Sequence, residues 1–174
     1  MQENAGLQDV LARFDQYQGR HPHGRLYALV DGYQYEAHTG ERLSGHADAL
    51  LGLFEGTPDS PLIHAGPWLI DTAQEAVPMA MLIELETALP SVTWLFSREP
   101  LDLLARALCQ RLDITLNGRP ALLRFYDPRT LAGLQDILTP EQKTALHADI
   151  DEWHLLYQGK RLSLIHISEP TRPY

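Results

Sequence analysis

The chain has 174 residues, of which 44% are hydrophobic and 21% charged, and its formal net charge is −9 with a pI near 5.2. This length holds one domain with a proper core rather than two, and the balance excludes a disordered chain. No apolar run is long enough to cross a bilayer, and the acidic excess disfavours nucleic acid, whose phosphates are bound through Lys and Arg.

Residues 1–10, MQENAGLQDV, lack the basic start and apolar block of a secretory signal. Together with a single cysteine, Cys109, this fits a reducing cytoplasm. Leu7, Val10, Leu11 and Phe14 recur at helical spacing and predict a helix ending near Gly19. LYALV (26–30), bounded by Asp31-Gly32, predicts a buried strand, whereas 33–46 is polar and carries no assignment. Residues 46–54 read as a short helix leading into a strand, and PWLID (67–71) as the next strand, with turn residues Gly56, Pro58, Asp59 and Gly66 between. Val77, Met81, Leu85 and Leu89 predict a helix over 73–89, which tolerates Pro78 only near its first turn.

SVTWLF (91–96) is strand-like, and Leu101, Leu104, Ala105, Leu108 and Leu112 predict an amphipathic helix beginning at Pro100. Asn117-Gly118 suits the positive φ angles of a tight turn, so 113–116 and 121–126 predict a hairpin. Asp127-Pro128 opens a further helix, TPEQ (139–142) caps another running to about Ile150, and 153–157 opens a strand. The sum is a single mixed α/β domain of alternating strands and helices.

The sequence changes character after Arg161. LSLIHISEPTRPY resembles the translated end of a transposase-type DNA sequencing adapter, so 1–161 is read as an α/β domain incomplete at its C-terminus, lacking a C-terminal lobe, and 162–174 as a non-native tail. The alternative is a short terminal strand, LSLIHI. A foreign tail implies an unpaired edge or exposed apolar patch near 150–161, with poor solubility.

Motifs for chemistry are sparse. Glu55, Asp59 and Asp71 could act as an acid–base pair in a small hydrolase, although Asp beside Gly and Pro more simply builds turns. His21 and His23, with His38 or His46, could supply imidazoles to a metal, but HPHG reads as a solvated loop. Cys109 lies on an apolar helix face without nucleophile context, and no phosphate-cradling glycine pattern occurs, so neither cofactor nor metal is expected. In RFYDPR (124–129), strand geometry would put Arg124 and Tyr126 on one face while Asp127 caps the next helix. Arg124 could present its guanidinium to a partner, or pair with a core-edge acid such as Asp31 or Asp71.

Four blocks in order, LYALVDG (26–32), LFEGTPD (53–59), GPWLID (66–71) and LLRFYDPR (122–129), resemble the Tap/TEC effector-adaptor chaperones of bacterial type VI secretion, the family of domain of unknown function 4123. The resemblance spans roughly 26–153. It implies a cytoplasmic, non-enzymatic protein that binds a toxin effector and loads it onto a VgrG-type spike, with no nucleic-acid or membrane partner. It also implies scaffold or partner-binding roles for Asp31, Gly32, Glu55, Gly56, Gly66, Pro67, Asp71, Arg124, Tyr126, Asp127, Pro128 and Arg129. Family members carry a longer C-terminal part associated with cargo recognition. An acidic immunity protein that binds a toxin is the remaining alternative, motivated by the net charge of −9.

Overall fold

The computed structural model describes residues 2–46 and 48–165. In chain order the regular elements are α1 (Gln2–Arg20), β1 (Arg25–Asp31), α2 (Gly32–Thr39), β2 (Leu50–Gly52), a 3-10 segment (Ser60–Ala65), β3 (Pro67–Asp71), a second 3-10 turn (Thr72–Gln74), α3 (Met79–Ala88), β4 (Val92–Ser97) and α4 (Leu101–Leu112). They continue as β5 (Asp113–Leu116), β6 (Arg119–Leu122), α5 (Pro128–Ile137), α6 (Pro140–His147), β7 (Glu152–Tyr157) and β8 (Lys160–Ile165).

Six strands form one sheet in the order β2-β3-β1-β4-β7-β8, antiparallel at every pairing, while β5 and β6 make a separate two-stranded ribbon. Side chains of successive strand residues leave the sheet on opposite faces, and here both faces are covered. Tyr27, Leu29, Leu69, Leu95 and Trp153 point to one core, closed by α4, α5 and α6. Leu26, Ala28, Val30, Trp68, Ile70, Trp94 and Phe96 point to the other, closed by α1, α2 and α3. The domain is therefore a three-layer mixed α/β unit. Burial on both sides explains why LYALV, PWLID and SVTWLF read as unbroken apolar runs. Each fully buried Leu or Phe there contributes about 1.5–3 kcal/mol.

Several sequence expectations need correction. The unassigned stretch 33–46 contains α2, whose buried face is only Gly32 and Tyr35, too little for a periodic signal. Among the described residues of 46–49 no helix leads into β2; His46 forms an isolated bridge with Leu50, and the strand spans only three residues. The helix expected over 73–89 is two elements, because Pro78 has no N–H to donate and stands as the cap before α3. Its inward residues are Leu82, Ile83, Leu85 and Glu86, and Leu89 lies past its end. On α1, Leu11 is exposed and Tyr17 is fully buried in its place. The strand expected to run to Tyr126 stops at Leu122, and α6 stops at His147. At this end of the sheet β4 and β8 flank β7, so the edge strand is β8, which begins at Lys160. Residues 162–165 supply four of the six residues of β8, with Ile165 exposed, and the remainder of the tail lies outside the described residues.

The ends of the described chain are joined by polar contacts. Arg161 Nε donates to Asp9 on α1 at 3.3 Å, and Arg13 Nη1 donates to Ser163 at 3.1 Å. Arg161 also reaches the buried carboxylate of Glu86 on α3, which accepts the indole N–H of Trp94 as well. Further round, α6 opens with a capping box in which Thr139 accepts from Gln142 N and the Gln142 side chain accepts from Thr139 N. Thr139→Ala removes one half of it and is expected to cost about 1 kcal/mol, measured by urea denaturation; an unchanged midpoint would show that α6 is held by packing alone.

Candidate functional site

All four sequence blocks meet at one corner of the main sheet. Asp31, the last residue of β1, lies opposite Pro67, the first of β3. Gly32 N donates to Gly66 O at 2.8 Å, and Leu53 N donates to Pro67 O at 2.9 Å. The approach is close enough that only glycine fits: a Cβ on Gly32 would stand 2.1 Å from His64 O, and one on Gly66 would stand 2.4 Å from the Phe54 ring. Gly56, at φ +71°, turns the chain just before this corner, where its freedom from a Cβ is needed.

The fourth block closes the corner from the ribbon side. Phe125 and Tyr126 are both buried, so the alternation of a strand does not apply to them; after β6 they form a turn that seats both rings in the core. Arg124 remains half-exposed, with Nη2 3.8 Å from Asp31 Oδ2 and its guanidinium 5.7 Å above the Tyr126 ring. Of the two acids considered for Arg124, the structure places it beside Asp31. Asp127 caps α5 by accepting from Arg129 N at 2.9 Å, with Pro128 in the first turn, and also takes a two-point contact from the Arg129 guanidinium at 3.1 and 2.9 Å. Asp31 caps α2 in the same way, accepting from Tyr33 N and Gln34 N.

These two buried carboxylates titrate in opposite directions. Burial raises Asp31 above its ordinary value of 3.8, against the opposing pull of the α2 N–H groups and Arg124. Burial would raise Asp127 too, but the Arg129 guanidinium and backbone N–H outweigh it and hold that carboxyl below 3.8. A depressed carboxylate contributes stability that is present above its unfolded pKa and is lost as pH falls through the folded value. Asp127→Asn keeps a capping oxygen and removes the charge. It is expected to cost about 1–2 kcal/mol at pH 7 and progressively less below about pH 4, read from urea melts at both pH values. A deficit independent of pH would place the effect in the cap alone.

The other candidate groups do not converge. Glu55 and Asp59 are exposed around the Gly56 turn, at the Pro67 end of β3. Asp71 ends that strand four residues further on, roughly 13 Å away along it, where it caps the second 3-10 turn and lies 3.9 Å from Arg25. His21 packs on Tyr17 before β1, whereas His38 is on α2 beyond it and bonds to Glu84 at 3.1 Å, so the full length of β1 separates them. His23 and His46 are exposed. Among the described residues, no three His, Cys, Asp or Glu side chains gather as a metal would require. Cys109 is half-buried on α4, and burial, with Asp113 nearby, pushes its thiol up, away from nucleophilic character.

Beside the corner, and sharing Arg124 with it, lies a cleft of about 760 Å³ between the β5–β6 ribbon and the α5–α6 pair. Sequence reading did not find it. Its one signal is Ile137, an apolar residue on α5 outside the stripe of Leu131 and Leu134.

A family model described as "Domain of unknown function (DUF4123)" matches residues 26–145, a span that contains all four blocks, the corner and nearly the whole cleft lining up to Ala145. No curated protein and no solved structure matches the chain.

Proposed function

The chain belongs to the DUF4123 family, and from that premise we propose that it is a non-enzymatic adaptor, which binds a type VI secretion toxin effector in the cytoplasm and loads it onto a VgrG-type spike. The observation that carries this reading is the use made of the four blocks. Their carboxylates Asp31, Asp71 and Asp127 are spent on helix and turn caps beside arginines, and their glycines on close backbone approach. Such a corner holds surfaces in register; it offers no separated acid and base to a substrate. Family membership supports the type VI secretion context, and the resemblance of the blocks to effector adaptors supplies the cargo and the spike.

Co-expression of the full chain with the toxin and spike proteins of its own locus is expected to yield a co-purifying complex of all three. Failure of the chain to associate with either protein would sink the proposal. Protection of cells by the chain alone, with no spike bound, would turn the reading to an immunity protein.

A further inference from the structure

His154 on β7 is 2% exposed, and both of its ring nitrogens are engaged. Nε2 stands 3.2 Å from Glu152 Oε1, and a carboxylate only accepts, so Nε2 carries the hydrogen. Nδ1 is then bare and accepts from the Ser163 hydroxyl at 2.9 Å, whose oxygen in turn accepts from Arg13 Nη1 at 3.1 Å. At the other end, Glu152 Oε2 accepts from Arg20 Nη2 at 3.0 Å. This chain of hydrogen bonds leaves α1 at Arg13, crosses β8 and β7, and returns to α1 at Arg20, about two helical turns further on.

The charges around the imidazole already balance. Arg13, Arg20 and Arg161 face Asp9, Glu86 and Glu152 in pairs of 3.3 Å or less. From β4 come only uncharged rings, Phe96 at 4.6 Å from the imidazole and Trp94 opposite it in the register. A proton on His154 would be a fourth cation against three carboxylates in a buried place. It would also turn Nδ1 into a donor, so that His154 and Arg13 both donate to one serine oxygen and the hydroxyl hydrogen loses its acceptor. Burial, with Arg13 and Arg161, outweighs the pull of Glu152 and holds the imidazole below its ordinary value of 6.5.

We propose that His154 is a proton-operated latch, which in its neutral form ties α1 to β7 and β8 and on protonation releases α1 from that end of the sheet. The layer of α4, α5 and α6 packs on the opposite face and stays in place. Release uncovers Phe96, whose ring Phe14 of α1 meets edge-on at 5.4 Å. The opened form takes up its proton at the ordinary histidine value and the closed form only at a lower one. Closure is therefore favoured in full above about pH 6.5 and weakens as pH falls through the window beneath it. Each pH unit within that window raises the opening constant up to about tenfold.

The test is amide hydrogen exchange of the full chain at about pH 7.5 and about pH 5.5, read by mass spectrometry and normalised to α5 so that the intrinsic pH dependence of exchange cancels. Peptides from α1 and β8 are expected to lose at least about threefold in protection relative to α5 on acidification. In His154→Gln, whose side chain does not titrate, the two pH values should give the same ratio. Should that variant not fold, NMR titration of the His154 imidazole in the parent decides. A midpoint below 6.5 that coincides with the loss of protection supports the latch. An imidazole that titrates at or above 6.5, a ratio that shifts equally in parent and variant, or a loss of protection spread evenly over α1 and α5 overturns it.

Discussion

Replacing Gly32 by Ala is expected to lower stability by about 3 kcal/mol, the upper range for overpacking a closed site, with a reduced urea midpoint and an unchanged slope. The added methyl would stand 2.1 Å from the His64 carbonyl oxygen and 2.7 Å from that of Gly66, and both obstacles are backbone. A side chain could swing aside; these strands cannot separate without breaking the Gly32–Gly66 hydrogen bond and the neighbouring Asp31–Pro67 pairing. Gly133→Ala in the middle of α5 is the internal comparison. A Cβ there meets nothing within 4 Å, so the substitution should stabilise by about 0.5–1 kcal/mol through helix propensity alone. A loss under 1 kcal/mol for Gly32→Ala would mean that the corner yields easily, and its role as a rigid mount would fail with it.

Arg161→Ala is the second large loss, expected at about 3–5 kcal/mol. Glu86 is 4% exposed at its side chain and accepts from Arg161 Nη2 at 2.5 Å. Without that guanidinium a carboxylate stays in the core with the Trp94 indole as its remaining donor. The pair itself is not a bargain of stability: Arg161 Nη1 is buried and bonds to nothing among the described residues. The double change Glu86→Leu/Arg161→Met is therefore expected to recover most of the loss, as apolar replacements of buried ion pairs do. Equal losses in the single and double variants, compared by urea denaturation, would show that α1 and β8 depend on Arg161 for shape and not for charge.

What could be read from the sequence was whatever is local and periodic. The runs of β1, β3 and β4, the stripe of α4, the Asn117-Gly118 turn and the Thr139 box each announce themselves within a few residues, because burial and backbone angles act over that range. The stretch α2 carries no assignment for the same reason, having too few inward residues to make a pattern, while the strand read within 46–54 is present as the three residues of β2. The corner was half legible. Its residues stand out as turn and cap types, and Asp31 was one of two acids considered for Arg124. That they meet depends on the antiparallel register of β1 against β3, which pairs positions 31 and 67 and has no local signature. Glu86 and Arg161 were invisible as a pair, since a charged residue on a helix reads as solvent-facing until the fold turns it inward.

The link between α1 and β8 also sets a timetable for the newly made chain. Asp9 and Arg161 are 152 residues apart, so at translation rates of about 5–20 residues per second roughly 8–30 s separate their emergence. Glu86 emerges about midway, so for the last 75 of those residues, about 4–15 s, it is present without its cation. The first layer to assemble on the ribosome must either leave α1 and α3 undocked from the sheet or hold an uncompensated acid against Trp94. The nascent chain thus keeps one apolar face of the sheet uncovered for several seconds after that face has been made.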